Sequence, residues 1–154
     1  MKLFKSERGQ SLVELGISLL ILLYLLAGAA EFGVLFFQFV QLRDAAQEGA
    51  LYGSINPPAN AADTTKINTI KQRALYSSPT RSPIDLINDP NVTISVVVTG
   101  QYCEGGALEV TVSYPHRIFM PFIAALIGRS GQLPYPNIPL NASVTDTILS
   151  PVCP

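Results

Sequence analysis

Gly9 and Glu14 are the residues whose types and spacing point most directly to chemistry. They stand in the run Arg8-Gly9-Gln10-Ser11-Leu12-Val13-Glu14, where a polar start carrying Lys2, Lys5 and Arg8 gives way to a long apolar stretch. A basic start, a glycine and one carboxylate five residues later, at the mouth of a membrane-length helix, suggest a precursor trimmed after Gly9. Its new amino terminus, at Gln10, would sit close to Glu14.

The other chemically expressive residues are few. Two cysteines, Cys103 and Cys153, lie downstream of the apolar segment and lack metal-ligand spacing or a Cys-x-x-Cys motif. With a single histidine, His116, a His-based metal site or triad is close to excluded. No Gly-x-Ser-x-Gly, P-loop or Gly-x-Gly-x-x-Gly sits at a strand-to-helix junction. Asp44, Asp85 and Asp89 are too far apart and too irregular for a calcium loop. Asn91-Val92-Thr93 and Asn141-Ala142-Ser143 match the glycosylation triplet, a short pattern expected by chance. The expectation is a non-enzymatic chain with no metal and no cofactor. A formal net charge of -1 and basic residues that form no stripe argue against a nucleic-acid partner.

The element that must position Gly9 and Glu14 is a helix. From Leu12 to Leu42 the only full charges are Glu14 and Glu31. That span is roughly 45 Å of helix, longer than the ~30 Å hydrocarbon core. Beyond it, Leu42, Ala45, Ala46, Gly49 and Ala50 keep an apolar helical face toward Tyr52. The pattern predicts one helix from about Ser11 to about Tyr52, half in lipid and half in water. Lys2, Lys5 and Arg8 precede the span, while Arg43 after it is offset by Asp44 and Glu48. The positive-inside bias therefore keeps the amino terminus cytoplasmic and sends the remainder outward.

Two simpler readings compete. A secretory signal peptide would have the same basic and apolar regions, with Ala27-Gly28-Ala29 as an acceptable cleavage site. Against it, Glu14 opens the apolar region, and the apolar helix continues past that site with Phe32, Phe36, Phe37 and Phe39. Ser11-x-x-Glu14 before an apolar run is also a capping box, with Ser11 as the N-cap. That role can coexist with processing.

Gly9 followed by Gln10-Ser11-Leu12-Val13-Glu14 resembles the type IV prepilin processing motif, in which a prepilin peptidase cuts after Gly and Glu is the fifth mature residue. With the later Glu31-Phe32-Gly33 and Ala45-Ala46-Gln47-Glu48-Gly49-Ala50, the chain is similar to TadE-like proteins, pseudopilins of the tight-adherence (Flp-type) pilus. The similarity covers about the first 53 residues. Family members often carry Arg ahead of the Glu-Gly pair, where this chain has Gln47. The resemblance implies cleavage between Gly9 and Gln10. A carboxylate at the bilayer centre costs about 2.5–3.5 kcal/mol, and the amine made at Gln10 of the same or a neighbouring subunit would offset the cost for Glu14. Glu14 would then set subunit register. Glu31 is either a helix–helix contact or a carboxylate near the outer interface of a shifted or tilted helix.

The part after Gly53 reads as a small exported domain. Asn56-Pro57-Pro58 ends the long helix. Asp63 or Thr64 can cap a short helix to about Tyr76, with Ile67, Ile70 and Ala74 on one face. The stretch from Ser77 to Pro90 reads as loop. Val92, Ile94, Val96 and Val98 share one strand face; Leu108, Val110, Val112 and Tyr114 share the next, with Gly100 to Gly106 as the hairpin connection. A third strand is expected from about Leu140 to Leu149. The apolar stretch from His116 to Gly128 is read as a short helix packed on the sheet in preference to a surface for membrane or partner. Cys103, in the hairpin, and Cys153 can meet only if the third strand runs in the direction of the first, either antiparallel to the second or parallel to the first. In an exported domain that bond is expected, and it stabilises by ~4 kcal/mol on the chain-entropy model.

These readings combine into an α+β protein: a basic leader over residues 1–9, a transmembrane and assembly helix over 10–53 and an exported domain over 54–154. The implied protein is a pseudopilin or minor pilin, single-pass in the inner membrane. Its implied partners are the prepilin peptidase, other pilin or pseudopilin subunits, the inner-membrane assembly platform and membrane lipid. The length favours a minor over a major subunit, because the main Flp-type subunits are typically much shorter. A secreted or single-span binding protein, its amino terminus only a signal or anchor, is the alternative.

Overall fold

A computed structural model of the chain describes residues 7–77, 83–118 and 137–153. The helix α1 spans Glu7–Ile55 without interruption. It extends beyond the expected limits at both ends, and Ser11 lies inside it. Ser11 is therefore not an N-cap here: the backbone is already helical from Glu7, Gly9 included, so the capping-box reading is corrected. Lys2 and Lys5, of the expected leader, lie outside the described residues.

The chain divides into two compact units, residues 1–33 with 118–136, and residues 34–117 with 137–154. In the first unit the described structure is essentially the proximal part of α1, whose side chains are all exposed from Gly9 to Leu26. Among the described residues α1 is the one helix long and apolar enough to cross a membrane.

The second unit is built on the distal part of α1. Its buried residues recur in pairs, Gln41 and Leu42, Ala45 and Ala46, Gly49 and Ala50, Gly53 and Ser54. This is the three-to-four-residue recurrence that puts one stripe of a helix against a core. The small residues on that stripe allow close approach. A Cβ on Gly49 would lie 3.1 Å from Ala74 Cβ and 3.2 Å from Val110 Cγ1, and one on Gly53 would lie 2.8 Å from Leu108 Cδ2.

The second helix, α2, spans Thr64–Leu75 and buries Ile70 and Ala74. Asn56-Pro57-Pro58 separates it from α1, since proline cannot continue a helix. Asp63 caps it, accepting from the Lys66 amide at 3.2 Å and, with its other oxygen, from the Ala59 amide at 3.1 Å. Those hydrogen bonds, the Ala59 one foremost, hold the Asp63 carboxyl below its ordinary value. Arg73 lies over the Tyr52 ring at 4.9 Å, tying α2 to α1.

Three strands complete the unit: β1 (Thr93–Thr99), β2 (Ala107–Arg117) and β3 (Asn137–Thr147), in the order β1-β2-β3 with both pairings antiparallel. β3 thus runs in the direction of β1 and takes the place beside β2. Leu108, Val110, Val112, Leu140 and Ala142 are buried on one face against the helices. Each large apolar side chain buried there is worth about 1.5–3 kcal/mol. The opposite face is hydroxyl-rich, with Thr111 donating to Ser143 and Ser143 to Glu109.

The α+β architecture agrees with the sequence, but two boundaries differ. His116 and Arg117 belong to β2, paired with Ile138 and Asn137, and not to the link that follows. Pro115 looks like a strand terminator, yet β1 ends its pairing at Ser113, so beyond that point β2 has one neighbour and tolerates a proline. β3, an edge strand throughout, likewise tolerates Pro139, opposite Pro115, and starts at Asn137, ahead of Leu140. The expected packing of the stretch from Phe119 to Gly128 lies outside the described residues.

Candidate processing and assembly site

Gly9, Gln10, Val13, Glu14, Ile17 and Ser18 line one shallow groove on the surface of α1. Helical geometry explains this: pairs at 9/10, 13/14 and 17/18 repeat every four residues and fall on one face. Gln10 and Glu14 are therefore neighbours one turn apart, and both are exposed. An amine freed at Gln10 would emerge on the face that carries the Glu14 carboxylate. The flanking Leu12, Val13 and Leu15 are 70%, 64% and 64% exposed, so this charge site is embedded in an apolar cylinder.

Glu31 lies elsewhere and in different surroundings. It is about 25 Å along the helix from Glu14, at 1.5 Å per residue. Its side chain is buried, at 5% exposure, whereas that of Glu14 is open. The two carboxylates do not form a pair.

Cys103 and Cys153 are joined in a disulfide with Cα atoms 5.2 Å apart. The surrounding backbone explains why they meet. Ile148 N–H donates to Gly106 O, and Glu104 N–H donates to Pro151 O, both at 2.8 Å, laying the tail along the hairpin. Gly105 has φ +89°, and a Cβ on Gly106 would lie 1.8 Å from the Gln101 carbonyl oxygen, so the turn requires both glycines. The same tail caps the end of α1: Leu149 N–H donates to Ser54 O at 2.9 Å and Ser150 Oγ to Ile55 O at 3.0 Å. Those carbonyls would otherwise be orphaned at the helix terminus.

Two polar residues of α1 that sequence reading overlooked also do positional work. Gln41 is bidentate on one backbone unit, Nε2 donating to Ile84 O at 2.8 Å and Oε1 accepting from Ile84 N–H at 3.0 Å. Gln38 Oε1 lies 2.5 Å from His116 Nδ1, both side chains buried. A helical projection of the sequence holds the signal, because Gln38 and Gln41 fall on the stripe of Leu42, Ala45 and Ala46. Among the described residues no group of three or more His, Cys, Asp or Glu side chains is arranged to hold a metal ion.

The chain thus has a long apolar helix that is exposed at its start and forms part of the core of a small α+β unit at its end. Residues 9–51, most of α1, match the family model described as TadE-like protein. The match starts at the groove glycine and ends four residues before α1 does. No curated protein and no solved structure matches the chain. The long apolar helix and the family match are consistent with a single-pass membrane protein.

Proposed function

We propose that the chain is a TadE-like pseudopilin or minor pilin, acting in assembly or initiation of a Tad pilus and so in surface attachment. The observation that supports this best is the coincidence of the family match with the groove: the match opens on Gly9, and Glu14 stands on the same helical face as Gln10. A prepilin peptidase cuts the basic leader, residues 1–9, from a cytoplasmic amino terminus. Residues 10–53 then anchor the subunit, and residues 54–154 form the exported part, held by the Cys103–Cys153 bond. The Gln10 amine and the Glu14 carboxylate set the register of neighbouring subunits in the bilayer and on the assembly platform, while Glu31 contributes to helix–helix contact deeper in the assembly.

Replacing Glu14 tests the reading. Glu14→Ala and Glu14→Gln are expected to lower copurification with the other pilus subunits by roughly tenfold or more, equivalent to about 1.4 kcal/mol. Membrane insertion and the disulfide should persist in both. Undiminished subunit copurification would leave a plain anchor or a binding protein.

A further inference from the structure

β2 runs antiparallel to the distal part of α1, and two points fix their alignment. Leu108 packs at Gly53, and His116 meets Gln38. From Leu108 to His116 the strand advances about 26 Å at 3.3 Å per residue. From Gly53 to Gln38 the helix advances about 22 Å at 1.5 Å per residue. Strand and helix therefore keep pace, and β2 heads toward the apolar part of α1 as it approaches Arg117.

β1 does not follow. Its first pair is Thr93 with Ser113, so the pairs from Tyr114–Leu140 to Arg117–Asn137 project past it as a two-stranded ribbon. The turn before β1 closes the flank there: burial raises the Tyr114 hydroxyl above its ordinary value, with the charge and hydrogen bond of Asp89 adding to the effect. One residue beyond the Gln38–His116 pair, the ribbon ends at the helix level of about Phe37. Phe37 is 66% exposed, and Phe39 and Val40 are 37% exposed each. No charge lies on α1 between Glu31 and Arg43. The last ribbon pair, Arg117 and Asn137, is exposed, and Arg117 is the one full charge among the eight ribbon residues.

We propose that this ribbon is a foot standing on the phospholipid headgroups. Arg117 and Asn137 meet lipid phosphates, and Phe37 lies beside them at the boundary between headgroups and acyl chains. The inference rests on the membrane-anchored reading of α1. Its occupant follows from continuity with the apolar span: a ~30 Å hydrocarbon core takes about 20 helical residues, which counted from Glu14 end near Val34. The next exposed residues of α1 are apolar and aromatic, and the tip beside them offers a guanidinium, the fork that matches phosphate oxygens.

The chain has no tryptophan, so single replacements report on depth without background. Phe37→Trp, Asn137→Trp, Leu51→Trp and Leu22→Trp, each in the full chain, are to be placed in phosphatidylcholine vesicles with lipids brominated near the headgroup end or the middle of the acyl chains. Phe37→Trp and Asn137→Trp should be quenched most by the shallow bromines, and Leu22→Trp by the deep ones. Leu51→Trp should respond only to aqueous acrylamide. If Leu22→Trp is quenched but Phe37→Trp and Asn137→Trp are reached only by acrylamide, the foot is overturned while the anchor stands. Blue-shifted Phe37→Trp and Asn137→Trp emission that no bromolipid quenches would overturn it too, assigning the surface to protein. Loss of quenching at Leu22→Trp would overturn the anchor itself.

Discussion

From Gly9 to Leu26 α1 exposes every side chain, while from Gln41 to Ser54 it buries two residues in almost every turn. One helix thus carries two surfaces. The proximal surface is apolar on all sides, leucine-rich and interrupted by one exposed carboxylate, Glu14. The distal one is amphipathic, with Ala and Gly on the buried stripe and Arg43, Asp44, Gln47 and Glu48 on the other side. A helix that is apolar all round needs an apolar surrounding from outside the chain, whereas an amphipathic helix finds it in its own domain. The difference teaches where the second unit finds its stability, in one disulfide and in close packing on the distal half of α1, whereas on the proposed function the proximal half finds its own in the membrane or in partner subunits.

The largest expected effect is on the cross-link. Joint replacement Cys103→Ser and Cys153→Ser should lower the stability of the second unit by ~4 kcal/mol, from loop closure over a sequence separation of 50. Chemical unfolding would measure it. Helicity of the proximal half in lipid should be unchanged, and a joint loss would break the contrast between the halves.

Glycine replacement sharpens the same contrast. Gly53→Val places side-chain atoms against Leu108 and Ile70 and should cost about 1–3 kcal/mol by overpacking. Gly28→Val meets nothing within 4 Å and should leave urea unfolding of the second unit unchanged. A destabilised assembly with an intact second unit would point to subunit packing at Gly28.

The smallest effect concerns the Asp63 cap, in the half of the chain that faces water. Its carboxyl titrates lower in the folded state than in the unfolded one. Its contribution is therefore complete above the unfolded value, near 3.8, and is lost as pH falls through the folded value. Asp63→Asn should reduce stability at neutral pH, and its difference from the parent should shrink toward pH ~3. Urea titrations across that range would follow it; a difference that grows on acidification would contradict the assigned role.

Much of this organisation is legible in the sequence, for reasons that differ by element. α1 is visible because charges are missing from it, and α2 because Asp63 stands ahead of a face made by Ile67, Ile70 and Ala74. The start of α1 is not legible, since Ser-x-x-Glu looks alike at a helix terminus and within a helix. The ends of β2 and β3 are obscured by Pro115, tolerated because β1 stops early, and by Pro139, tolerated because β3 is an edge strand; both are tertiary facts. Of the candidate site, the Gly9–Glu14 spacing is fully written in the chain. Glu31's burial, the Gln41 clamp on Ile84 and the Gln38–His116 pair depend on what the fold brings opposite them.

The central claim is that Gly9 marks the end of a leader and Gln10 the start of the working subunit. Mass spectrometry of the mature amino terminus, on protein isolated from its own host's membranes, tests it most directly. The account predicts a chain beginning at Gln10. A chain beginning at Ala30, or one retaining Met1 in a host with active prepilin peptidase, would contradict it.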